Sequence, residues 1–158
     1  MQKNKEYTIS VLRGNLAALI ISIPVITFSV LVFLWFWPLK ELLKAVDYML
    51  IWVIPIIVMG VVLHEFLHGI TWSIFTKNGW KSIQFGFKWG SLTPYCHCRE
   101  PLKKIHYTYG TIMPFLVLAL LPIIGAIVFG EGVLLLVGIL FCIGAGADLY
   151  GLWILRKA

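Results

Sequence analysis

Residues 64–68 read His64-Glu65-Phe66-Leu67-His68: two imidazoles four positions apart, with a carboxylate directly after the first. On a helix, positions i and i+4 share a face, so His64 and His68 project the same way and Glu65 stands one step round. Imidazoles so placed can both ligate one zinc ion, and the glutamate can reach a water held by that metal. This H-E-x-x-H spacing is the pattern of metal-assisted peptide hydrolysis. A catalytic zinc takes three protein ligands and keeps one position open. Two histidines leave one ligand to be found.

The chain around the motif is unusually apolar. Of 158 residues, 60% are hydrophobic and 13% charged, with a mean hydropathy of +0.92. That excludes an ordinary soluble domain and points to an all-α polytopic membrane protein, a single membrane-embedded domain over 1–158. Ionisable residues in such a setting are costly and mark function by default. The formal net charge is +6, yet the basic residues sit between and beyond the apolar runs, where membrane topology places them. The partner implied is therefore the lipid bilayer and not nucleic acid. Cys96 and Cys98 are two apart, a separation that rarely closes a disulfide, so with Cys142 they define no disulfide framework.

Four transmembrane helices are expected, at about 15–37, 48–76, 107–129 and 133–155. The first ends in the aromatic cluster Leu34-Trp35-Phe36-Trp37-Pro38, which marks an interface and not a cleavage site. Residues 38–47 are expected as a charged connection. Between the second and third spans, Ser82 to Trp89 alternates polar or small residues with apolar ones, the period of a half-buried strand. Gly90-Ser91 can turn the chain, and Leu92 to Cys98 can return, so 77–106 holds a short β-hairpin-like segment. The edge of strand 82–89 is a place where an extended peptide or membrane-protein substrate can pair through its main chain. Oligomeric state is not legible.

The 77–106 segment carries Lys77, Lys81, Lys88, Arg99, Lys103 and Lys104 against Glu100, and both ends of the chain are also net basic. The other two connections are neutral or acidic. Positive segments stay inside, which places both termini and the hairpin on the cytosolic side of a cell (inner) membrane.

Asp148 is the strongest candidate for the third ligand, because apart from Glu65 it is the only formally charged residue inside an expected span. At 1.5 Å per residue, His68 lies roughly 12 Å and Asp148 roughly 10 Å from the same face. Gly144, Ala147 and Gly151 beside Asp148 suggest close packing of span four on span two, and Gly69 suggests space beside the metal. Cys96-His97-Cys98 is a second metal-capable cluster, but strand alternation sends His97 away from the cysteines, and structural zinc sites use wider, paired spacings. His106, next to Lys103 and Lys104, reads as interfacial. The function implied is zinc-dependent intramembrane peptide hydrolysis with Glu65 activating a zinc-bound water. A divalent-metal or proton-coupled transporter and a catalytically inactive membrane scaffold stand as alternatives.

HEFLH on the second span, a β-like segment, one intervening span and then Asp148 resembles the core of the site-2-protease type of intramembrane zinc metalloproteases. With Phe85-Gly86-Phe87 and Pro94-Tyr95-Cys96, residues 50–155 resemble more closely the small bacterial integral-membrane proteins classed as zincin peptidases. The resemblance implies His64, His68 and Asp148 as ligands and Glu65 as catalytic base. Site-2 proteases carry an Asn and a Pro upstream of an Asp-Gly pair; residues 139–151 contain neither, and no Asn role is carried over.

Overall fold

The structure is a computed structural model that describes residues 11–90 and 93–156, with side chains from Gly14 onward. The basic segment at 1–10, Ser91 of the expected turn, Leu92 at the start of the returning strand and Lys157 lie outside the described residues. Four long helices are accompanied by one short antiparallel hairpin that packs on the second. They are α1 (Val11–Phe36), α2 (Leu39–Ile74), β1 (Ile83–Lys88), β2 (Thr93–Cys98), α3 (Lys104–Phe129) and α4 (Gly132–Leu155). All four helices are long and apolar enough to cross a membrane. Their outer faces carry bare aliphatic residues, with Leu50, Ile51 and Ile54 each more than 70% exposed. Apolar patches of that extent are stable against lipid and not against water.

One expectation fails. Residues 38–47 are not a connection, because α2 begins at Leu39 and runs for 36 residues. The sequence Leu39-Lys40-Glu41-Leu42-Leu43-Lys44-Ala45 is made of strong helix formers, and Glu41 pairs with Lys44 at 3.2 Å, one turn on. Only Trp37 and Pro38 remain to turn the chain, with Pro38 extended at the N-cap. The Trp37 indole donates to the Ile127 carbonyl at 2.8 Å and covers Gly130. Gly130 closes α3 in the left-handed region at φ 75°, where a Cβ would be strained.

Small residues set the helix spacing, although not those expected. A Cβ on Gly146 would stand 2.7 Å from the Ala18 carbonyl oxygen of α1, and one on Gly138 would stand 2.8 Å from the Ala119 carbonyl of α3. A Cβ on Gly60 of α2 would fall inside the Phe141 ring of α4. At Gly144 and Gly151 a Cβ would meet nothing within 4 Å, so neither glycine serves packing. The Ser22 hydroxyl, which donates to its own helix at Ala18, also lies 3.1 Å from the Cys142 carbonyl of α4.

The middle of α3 departs from α-helix. Pro114 and Pro122 bracket a π-helical stretch, Phe115–Leu120. Each proline lacks an N–H and so frees the carbonyl four residues earlier; for Pro114 that is the carbonyl of Gly110.

The hairpin folds back along α2 instead of projecting from its end. Register pairs Ile83 with Cys98, Phe85 with Cys96 and Phe87 with Pro94. The odd-numbered side chains of β1 and the cysteine side of β2 lie on Gly69. That glycine therefore makes room for the hairpin, and the space beside the metal expected of it is filled by Phe85, Ile83 and Cys96.

Glu100 holds the base of the hairpin to the end of α2. Its carboxylate accepts from the Lys77 and Asn78 amides, the Asn78 side chain and the Ser82 hydroxyl. The Ser82 hydroxyl, followed by the Lys77 amide, draws its pKa down to about 2 from the ordinary 4.5. A depressed carboxylate contributes stability above its unfolded pKa and loses it as pH falls through the folded one. The stability difference between wild type and Glu100→Gln should therefore be full at neutral pH and shrink as pH drops from 4.5 to about 2. Amide hydrogen exchange at Lys77 and Asn78 should be faster in the variant at pH 7.

Candidate metal centre

The H-E-x-x-H face of α2 meets α4 at Asp148. The Asp148 Oδ2 lies 2.9 Å from His64 Nε2 and 3.4 Å from His68 Nε2, and the two imidazole nitrogens are 3.1 Å apart. Donor atoms held about 2.0–2.1 Å from a tetrahedral zinc stand about 3.3 Å from one another. The three atoms thus already have the mutual spacing of zinc ligands, on an imidazole–imidazole–carboxylate set that suits this metal. Among the described residues they form the one grouping of three His, Cys, Asp or Glu side chains able to share an ion. His68 is buried; His64 and Asp148 are partly open.

The His68 ring is held on three sides. Its Nδ1–H donates to the Gly110 carbonyl at 2.9 Å, the carbonyl that Pro114 leaves without a helical donor. That bond fixes the proton on Nδ1 and turns the lone pair of Nε2 toward His64 and Asp148. Trp72, one turn after His68, stacks on the imidazole with centroids 5.1 Å apart and on Tyr107 at 5.4 Å. Its indole N–H donates to the Tyr107 carbonyl at 3.2 Å. A Cβ on Gly110 would fall inside that indole, so glycine is required where the carbonyl must come this close. The part played by Gly110, Pro114 and Trp72 in holding His68 escaped the sequence reading. The available signal was a proline four residues after a glycine in a charge-free span, which exposes one backbone acceptor inside the membrane.

Glu65 lies next to the trio without joining it. The backbone N–H of Cys96, on the outer edge of β2, is directed at its carboxylate, and Glu65 and Pro94 line the same two clefts. The edge of β2 thus lies at Glu65, and Phe85 and Gly86 of β1 share one of those clefts with it.

The Cys96-His97-Cys98 cluster stays apart from the centre. Cys96 sits against Gly69, the Cys98 thiol donates to the Glu100 carbonyl, and His97 is exposed. Burial, followed by the charge of Glu65 and the neighbouring Cys98, pushes the Cys96 thiol up to about 12. A thiol so protonated is a poor metal ligand. His106 stacks on Phe75 at 4.2 Å, at the end of the bundle and away from the trio.

A family described as "Putative zincin peptidase" matches residues 56–158, which include the motif, the hairpin and Asp148. The chain belongs to this family. No curated protein and no solved structure matches it. For a zincin peptidase, zinc is the implied metal, and His64, His68 and Asp148 are the residues that would hold it.

Two measurements check the centre. Purified protein should carry about one zinc per chain, lost in both His64→Ala and Asp148→Ala, because a structured site needs its full set of ligands. Pro114→Ala restores an N–H that competes with His68 for the Gly110 carbonyl. It should lower zinc affinity by about 10–100-fold, the usual effect of losing an outer-shell partner. Thermal stability should hold or rise, because the helix regains a hydrogen bond.

Proposed function

We propose that this zincin peptidase hydrolyses peptide bonds within or beside the membrane, with His64, His68 and Asp148 holding zinc and Glu65 acting as general base. The observation that carries the reading is the convergence of His64 Nε2, His68 Nε2 and Asp148 Oδ2 at 2.9–3.4 Å, with an unshared carboxylate beside them. Zinc, when bound, supplies a Lewis acid for the peptide carbonyl. Glu65 takes a proton from the attacking water and delivers it to the departing amine nitrogen. The Cys96 N–H, aimed at that carboxylate, holds its orientation. His68, with its proton committed to Gly110, is positioned as a ligand and not as a base.

Substrate is taken to lie in extended form along β2. The outer edge of β1 carries no further strand among the described residues, but a segment paired there would lie two strand spacings, about 10 Å, from β2 and so farther from Glu65. The holding role suggested for strand 82–89 therefore passes to Thr93 and Pro94, which wall the cleft containing His64 and Glu65. The basic residues around the hairpin support an inner-membrane location, with both termini and the mouth of the site facing the cytosol.

Glu65→Gln separates this reading from transport. Hydrolysis of an apolar peptide by the reconstituted protein should fall by about 10²–10⁴-fold, the usual contribution of a general base, with zinc content unchanged. Metal or proton flux through wild-type vesicles, with no proteolysis in either form, would overturn it.

A further inference from the structure

The centre opens on one side into a cleft of about 440 Å³ between α2, α4 and the start of β2, within the usual range for small-ligand sites of about 300–1,000 Å³. His64 and Glu65 stand at one end, and Thr93 and Pro94 form a side wall. The remaining lining is apolar. Val61 and Ile57 precede His64 by three and seven positions on the same face of α2, which carries the cleft about 5 and 10 Å along the helix. That direction leads away from the basic loop and toward the middle of the span. At the far end the Phe141 ring is pinned against Gly60.

Gly144 on α4 explains why the space is empty. It lies one turn before Asp148, on the same face, and lines the cleft. A Cβ there would meet nothing within 4 Å, whereas at Gly138 and Gly146 it would run into backbone. Glycine is the poorest helix former after proline, and no neighbour demands it here. What its missing side chain provides is width beside the metal ligands.

We infer that this cleft is the selectivity pocket of the site, taking one large apolar side chain, leucine- or phenylalanine-sized, next to the bond to be cut, with Gly144 setting its width. The inference rests on the peptidase reading and adds a substrate class to it. A charged side chain placed there would lose its hydration among Ile57, Val61 and Leu140 with little to replace it. An aliphatic or aromatic one gains by burial, and in apolar pockets a single methylene is worth about 10-fold or more in discrimination.

The test is a binding series on the zinc-loaded protein in detergent, using acetohydroxamate, 4-methylpentanohydroxamate and 3-phenylpropanohydroxamate, whose shared head chelates the metal. Wild type should bind the two bulky members at least about 10-fold more tightly than acetohydroxamate. Gly144→Leu should abolish that gain, Gly144→Ala should reduce it, and both should bind acetohydroxamate as wild type does. Gly151→Leu, equally open but outside the cleft, should keep the full gain and so controls for partition into the micelle. A flat series in wild type, or a gain that survives Gly144→Leu, overturns the assignment. Acetohydroxamate reports the metal centre and no hydrolysis is read, so failure of the pocket and failure of the peptidase reading are told apart.

Discussion

An imidazole inside a bilayer needs a partner for each nitrogen, and this requirement organises the molecule. In His68 the Nε2 faces His64 and Asp148, so the Nδ1–H must find an acceptor where no water is assured. Every helix carbonyl in a regular span is already committed to its own backbone. Pro114 breaks that rule at one place by removing the donor due to Gly110. The π-helical turn that follows it, the stacked Trp72 and the glycine beneath that indole are the local consequences of bringing this freed carbonyl to His68.

The hairpin raises the same problem on a larger scale. The start of β2, at Thr93 and Pro94, reaches the level of Val61 and His64, well below the end of α2 at Ile74. Open strand edges and irregular backbone survive at such a depth only against protein or beside a water-filled cavity. Here one face of the sheet covers Gly69, and the start of β2 borders the cleft at Glu65. The Glu100 carboxylate, tied to two backbone amides, an amide side chain and a hydroxyl, anchors the hairpin from outside the apolar region, where a charge is inexpensive.

Glycine serves three separate ends in this chain. Gly60, Gly138 and Gly146 admit a neighbouring ring or backbone and so set how closely the helices pack; Gly110 lets a carbonyl reach a histidine; Gly144 keeps a cavity open. In sequence these positions look alike. The first group was expected at Gly144 and Gly151, because small residues next to an intramembrane acid suggest close packing, yet those are the two glycines of α4 at which an added Cβ meets nothing within 4 Å.

The amino-acid sequence by itself determined the four spans and the alternation that folds into β1 and β2, and it singled out His64, Glu65, His68 and Asp148 as the candidate site. These follow from local rules: helical and strand periods, apolar length against bilayer thickness, and the high cost of an ionisable group in lipid. It underestimated α2 because helix propensity over residues 39–47 outweighed their charge. Only the tertiary structure decided that Asp148 touches both histidines, that the edge of β2 meets Glu65, and which glycines pack. Those facts depend on the rotation of each helix about its axis and on side chains far apart in sequence, and a hydropathy pattern that is apolar nearly all round a helix contains no information about which face turns inward.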